Sequence, residues 1–214
     1  MKTFRHISVI FAFMIAYLLP AAGLNAASRS FPRLSFGIEG SLAGTFLSYR
    51  HSNYISNYGY RIDRRVINKK YHTNGEIILH LGMNISRHVN LSLYSGYSGV
   101  CKNGSIYPLS LRCTWFPAQD PSKDRWFAFI DGGPALKKTG RVSSLAGTGK
   151  LGCGYRISLT RSAKMDFLFS LRQAFIKDIY SQPGMLSAEY VEKDRIRRNN
   201  AAYMAVTLGI GLTF

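Results

Sequence analysis

The chain has little cysteine, little histidine and little acid. Three cysteines, Cys101, Cys113 and Cys153, stand in 214 residues. An odd number leaves at least one thiol unbridged, so a disulfide framework is excluded. No two cysteines have metal-ligand spacing and the five histidines are scattered, so no metal site is expected. Outside the N-terminus no apolar run reaches the roughly 18 residues of a membrane-crossing helix, which excludes a helical span. Gly147, Gly149 and Lys150 approach a phosphate loop, but the full spacing is missing and the stretch alternates like a strand. No cofactor is expected. Eleven acids against 28 Lys and Arg leave a net charge of +17.

The first residues are of another kind. Lys2, Arg5 and His6 precede an uncharged stretch from Ile7 to Leu19, followed by Pro20 and the small residues up to Ala27. A basic start, a short apolar run and small residues form a cleavable signal peptide over 1–27. No cysteine sits at the junction, so no lipid anchor is expected there. Residues 28–214 are then one domain. Removing Lys2 and Arg5 lowers the charge from +17 to +15. In a cytosolic chain that balance suggests nucleic acid; a secretory signal argues against such a partner.

Apolar residues in this domain alternate with small or polar ones. In Ala201–Phe214, Met204, Val206, Leu208, Ile210, Leu212 and Phe214 share one face. Tyr203, Ala205, Thr207, Gly209, Gly211 and Thr213 share the other. Period two means a strand, and the stretch exceeds the roughly 9–11 residues a tilted strand needs to cross a bilayer. Seven further segments follow this rule: Leu34–Tyr49, Gly75–Ile85, Val89–Ser98, Ser105–Phe116, Arg125–Leu136, Ser144–Leu159 and Lys164–Phe175. Pro108 weakens the start of one, because proline cannot donate to a ladder. The facing of 125–136 is ambiguous, since Trp126, Phe127, Ala128, Phe129 and Ile130 are apolar throughout. Cys113 and Cys153 fall on the apolar faces of non-adjacent segments, which argues against a bridge.

The connections near Arg87, at Pro117–Asp124 and at Thr160–Ala163 are short, whereas Arg50–Asn74 and Ile176–Asn200 are long. Short turns at one end and long loops at the other suit a membrane barrel. The short stretches at Cys101–Gly104 and Lys137–Ser143 depart mildly from this.

An even count of eight strands and a terminal Phe214 resemble the small bacterial outer-membrane β-barrels, including the generic outer-membrane β-barrel proteins. The resemblance covers the mature chain and rests on pattern. It implies an all-β fold, an eight-stranded antiparallel transmembrane barrel in the cell outer membrane of a Gram-negative envelope. It also implies that Phe214 belongs to an assembly signal read by the barrel-assembly machinery.

Inside so narrow a barrel the polar face becomes a packed interior. Glu39, Glu76, His80, Arg112, Lys150, Arg156, Asp166 and Arg172 are expected there as a lumen charge network, because buried charges must pair. A diffusion porin is not expected. Arg50, Arg61, Arg64, Arg65, Lys69 and Lys70 are expected to form a basic surface loop with one acid, Asp63. Such a loop, with Tyr54, Tyr58, Tyr60 and Tyr71, suits outer-membrane lipid and the phosphates of lipopolysaccharide.

One string bears on catalysis. Arg50-His51-Ser52-Asn53 is similar to a local pattern of the lipid A 3-O-deacylase barrels, which pair a His with a Ser. Here His51 and Ser52 are adjacent, and on a strand adjacent residues face opposite ways. The expected function is therefore non-enzymatic, a structural, surface-interaction or adhesion role. The alternatives are a lipid A-modifying barrel centred on His51 and Ser52, or an accessory barrel of a secretion or envelope complex.

Overall fold

The computed structural model describes residues 34–56, 58–69, 71–101, 104–117, 123–139, 142–160, 162–177 and 193–214. The expected signal peptide, Lys70 and most of the loop before Asn200 lie outside them.

Among the described residues there are nine strands: β1 (Leu34–Ile55), β2 (Arg61–Asn68), β3 (His72–Asn84), β4 (Val89–Cys101), β5 (Gly104–Trp115), β6 (Arg125–Thr139), β7 (Val142–Ser158), β8 (Lys164–Lys177) and β9 (Ile196–Thr213). All neighbours are antiparallel, in the order β2-β1-β3-β4-β5-β6-β7-β8-β9, and β1 also pairs with β9. That pairing closes eight strands into a cylinder, and β2 is left as an extra strand on the outer half of β1. Closure removes the unpaired edges of a sheet, a condition for crossing lipid. At the seam, Phe36 and Phe214 exchange backbone hydrogen bonds of 3.0 and 2.7 Å, and their rings stack at 5.5 Å.

Period-two alternation decides the facing. On β9, Met204, Leu208, Ile210 and Leu212 point outward, while Ala201, Tyr203, Ala205, Thr207 and Thr213 are buried inside. The ambiguous β6 divides in the same way. Trp126 and Ile130 are exposed, whereas Phe127, Phe129 and Asp131 are buried. Its apolar run has two destinations, lipid outside and a packed plug inside. Cys113 and Cys153 are exposed free thiols on β5 and β7, with β6 between them.

The expected basic loop at Arg50–Asn74 is corrected by the structure. β1 runs 22 residues, about twice what a tilted strand needs to cross a bilayer. Its outer half pairs with β2 from Ser48↔Asn68 to Ile55↔Arg61. Only a short turn joins them, with Gly59 at φ +87°, a left-handed conformation that glycine adopts without penalty. β9 pairs with the same part of β1 as far as Tyr54↔Ile196. A three-stranded extension thus stands beyond the cylinder, at the end opposite the tight turns at 86–88 and 160–163. Beyond its first apolar row, ladder hydrogen bonds rather than lipid stabilise it, so the apolar alternation that marks the other strands is absent there.

Candidate functional site

The interior is built in layers. Near the turn end, the buried Phe116, Phe127 and Phe129 pack with Leu168. Their rings occupy space that neighbouring glycines leave open. A Cβ on Gly154 would lie 2.4 Å from Phe127 Cζ, and one on Gly152 would lie 2.7 Å from Phe129 Cζ. Arg125 and Arg156 stack over Phe116 at 3.8 and 5.0 Å. At the opposite end, Val100, Ile106, Ala135, Ala146, Ala174, Ile176, Ala201 and Tyr203 form a second apolar cluster.

Charges lie between the two plugs. Arg112 Nη1 donates to Glu39 Oε1 at 2.6 Å, and its Nε and Nη2 donate to Asp131 Oδ2 at 3.0 and 2.9 Å. Tyr94 donates its hydroxyl to the same Glu39 oxygen at 2.9 Å. The Arg112 guanidinium lies 3.8 Å from the Tyr94 ring centroid and 4.2 Å from that of Phe129. Lys150 Nζ donates to Glu76 Oε1 at 2.6 Å, and Ser41 donates to Glu76 Oε2 at 2.9 Å. Arg172 lies 3.9 Å from Glu76 and donates to Ser98 Oγ and Gly99 O at 2.6 and 2.8 Å. Arg156 grips Asp166 with two bonds of 2.6 Å. His80 is in the lumen, but it stacks on Tyr94 at 5.0 Å and approaches Thr213 Oγ1 at 3.4 Å; it makes no ion pair among the described residues. A cavity of about 20 Å³ remains beside Glu39, His80, Arg112 and Asp166, room for about one water molecule.

Register explains how residues distant in sequence meet. Ser92↔Arg112, Arg112↔Asp131, Asp131↔Lys150 and Lys150↔Arg172 are successive cross-strand partners, so they form one row around the wall. Asp131 was not singled out in the sequence, because the apolar run before it hides the facing of β6. Tyr94 carries no charge, so a search for paired charges in the sequence does not reach it.

The outside is the inverse of the inside. Phe36, Leu79, Leu109, Ile130, Leu151 and Phe169, from six different strands, are all largely exposed. Exposed apolar surface of this extent around a closed cylinder faces lipid. The molecule is a membrane-spanning β-barrel.

No family model matches the chain, and no curated protein matches it. Among solved structures it is similar to the outer membrane protein OprG of Pseudomonas aeruginosa, at 13% identity over 84% of this chain and 95% of that one, with a TM-score of 0.41. It is also similar to AlkL in lipid bilayers, at 12% identity over 88% of this chain and 94% of that one, TM-score 0.47. The N-terminal β-barrel domain of OprF from P. aeruginosa gives 13% over 81% and 97%, TM-score 0.35.

The basic residues expected in a loop lie on the barrel's extension instead. Arg50 is on β1, Arg61, Arg64 and Arg65 are on β2, and Lys69 follows β2. Arg197 and Arg198 join them from β9. Tyr58 and Tyr60 stack at 6.3 Å at the tip. His51 and Ser52 are neighbours on β1 and do not meet. His51 Nε2 is 2.9 Å from Asp63 Oδ1, whereas Ser52 Oγ donates to Asn199 Oδ1 at 3.4 Å on the other face. Asn53 Nδ2 donates to the second Asp63 oxygen at 2.9 Å, and Arg61 Nε donates to Asn53 Oδ1 at 3.3 Å. The hydrogen bond from His51 holds the Asp63 carboxyl below its usual range, with Arg65 and Arg61 adding to the effect. Asp63 faces Asn53 by register, a relation invisible while the segment reads as a loop.

Proposed function

We propose that this barrel is a non-enzymatic surface-interaction protein of the outer membrane, with its basic extension facing lipopolysaccharide. The observation that carries this reading is the extension itself. Arg61, Arg64, Arg65, Lys69, Arg195, Arg197 and Arg198 are all exposed there. The carboxylates described on or beside it are Asp63 and Asp194. Cationic side chains on a stiff ladder lose less freedom on binding an anionic surface than the same side chains on a flexible loop. The filled interior supports the reading from the other side, since it provides a rigid cylinder that holds the extension in place. The hydrogen bonds of His51 and Ser52 give no nucleophile–base pair.

The test is retention of lipopolysaccharide by the purified barrel at low and high salt. Replacing Arg61, Arg64, Arg65 and Lys69 by glutamine should weaken a salt-sensitive association. Full retention by that variant, at both salt concentrations, would mean that the basic residues only keep the extension solvated.

A further inference from the structure

The extension's two faces are not equivalent. Between Thr45 and Leu47 the β1–β9 register slips by one residue, which reverses the parity of β1. Beyond the slip, Leu47 pairs with Met204 and Tyr49 with Ala202. The outward side of β1 is therefore carried on by Tyr49, His51 and Asn53.

Cross-strand partners on that side form rows. Phe175↔Ala202, Ala202↔Tyr49 and Tyr49↔Ile67 make one row over β8, β9, β1 and β2. It is apolar, and Phe175 and Ile67 are 54% and 62% exposed. It is the outermost continuous row of the lipid-facing band on these strands. Two residues further out on each strand the next row is Lys177–Asn200–His51–Arg65. Strand geometry puts it about 7 Å beyond the apolar row. Arg198 and Asp63 flank Asn53 in the row after that. Lys177, Arg65 and Arg198 are exposed. Asp63 is the one carboxylate among the described strand residues of the extension, and both its oxygens are already bound, by His51 and Asn53.

We propose that Lys177, Asn200, Arg65 and Arg198 form a docking site for a phosphorylated lipid headgroup in the outer leaflet, with His51 and Asp63 bracing its floor. This rests on the reading given under Proposed function and names the residues that carry it. Depth selects the ligand. A donor row immediately above a lipid-facing row, on the same side of the wall, lies where headgroups lie. Guanidinium and ammonium groups with a side-chain amide between them match phosphate oxygens. Lys177 and Arg65 are three strand spacings apart, about 14 Å, wide enough for a headgroup rather than a single ion.

The experiment measures lipid retained by the detergent-purified barrel after exchange against phosphorylated lipid A or its dephosphorylated form, read by mass spectrometry. Wild type should retain the phosphorylated form selectively. The triple variant Arg65→Gln, Arg198→Gln, Lys177→Gln should lose about tenfold in retention, as expected when charge-assisted contacts are removed. Arg64→Gln, on the opposite face of β2, should retain it, and all variants should keep the heat-resistant form on gels. Retention by the triple variant equal to wild type overturns the site and leaves the lipopolysaccharide reading standing. An equal loss in Arg64→Gln also overturns the site, because net charge then suffices. No selective retention by wild type overturns both.

Discussion

Arg112 and Glu39, separated by 73 positions in sequence, meet across the lumen at 2.6 Å. β5 and β1 are not neighbours in the sheet, so this contact ties opposite parts of the wall together. Asp131, on β6, takes the other edge of the same guanidinium. Breaking a buried ion pair from one side leaves a charge without its partner. Glu39→Ala is therefore expected to destabilise the barrel by about 3 kcal/mol. Replacing all three by Met at 112, Gln at 39 and Asn at 131 should cost less than the single change. Denaturant unfolding in detergent checks this, and equal or greater loss in the triple variant would contradict it.

Gly154 is expected to resist enlargement. Its missing Cβ leaves room for the Phe127 ring and lies against Phe167 O. Gly154→Val should destabilise by about 1–3 kcal/mol through overpacking. Phe127→Leu in the same chain should restore part of that loss. An additive effect of the two changes in the same unfolding assay would show that they do not share the space.

Much of this interior was legible in the sequence, and the reason is physical. Lipid on one side and a packed polar interior on the other impose a strict period of two. That period placed Ser110, Arg112 and Thr114 opposite Leu109, Leu111 and Cys113. It fails where the two sides stop differing. On β6 both sides are apolar from Trp126 to Ile130, so the facing of Asp131 could not be read. On β2 only the end at Ile67 reaches the lipid-facing band, so Arg61–Asn68 lacks a sustained alternation and reads as a loop. The slip at Phe46 moves the outward side from even to odd positions of β1, and nothing in the local pattern announces it.

Phe214 is expected to matter for assembly as well as stability. It closes the seam with two hydrogen bonds and a stacked ring on Phe36. Deleting it should lower the amount of protein in the outer-membrane fraction. Phe214→Tyr keeps the ring and should behave as wild type. Unchanged levels after deletion would separate the seam from biogenesis.

Acid should act on the extension through Asp63. A carboxyl held low by its folded-state partner stabilises above its unfolded pKa and loses that contribution as pH falls through the folded value. Nuclear magnetic resonance titration of Asp63 should give a midpoint below the ordinary aspartate value. His51→Ala removes the leading cause and should move the midpoint upward. An unmoved midpoint would mean that Arg61 and Arg65 set it instead.

Side chains fill the lumen, and the proposed function lies on the outer surface. Planar-bilayer recording of the refolded barrel tests it most directly. Phe116, Arg112, Glu76 and Arg172 are each about 1–2% exposed, and eight-stranded barrels are just wide enough for their own side chains. The wild-type protein should show no stable open-channel steps. Steady conductance with a defined unit size would contradict it and move the function from the rim into the lumen.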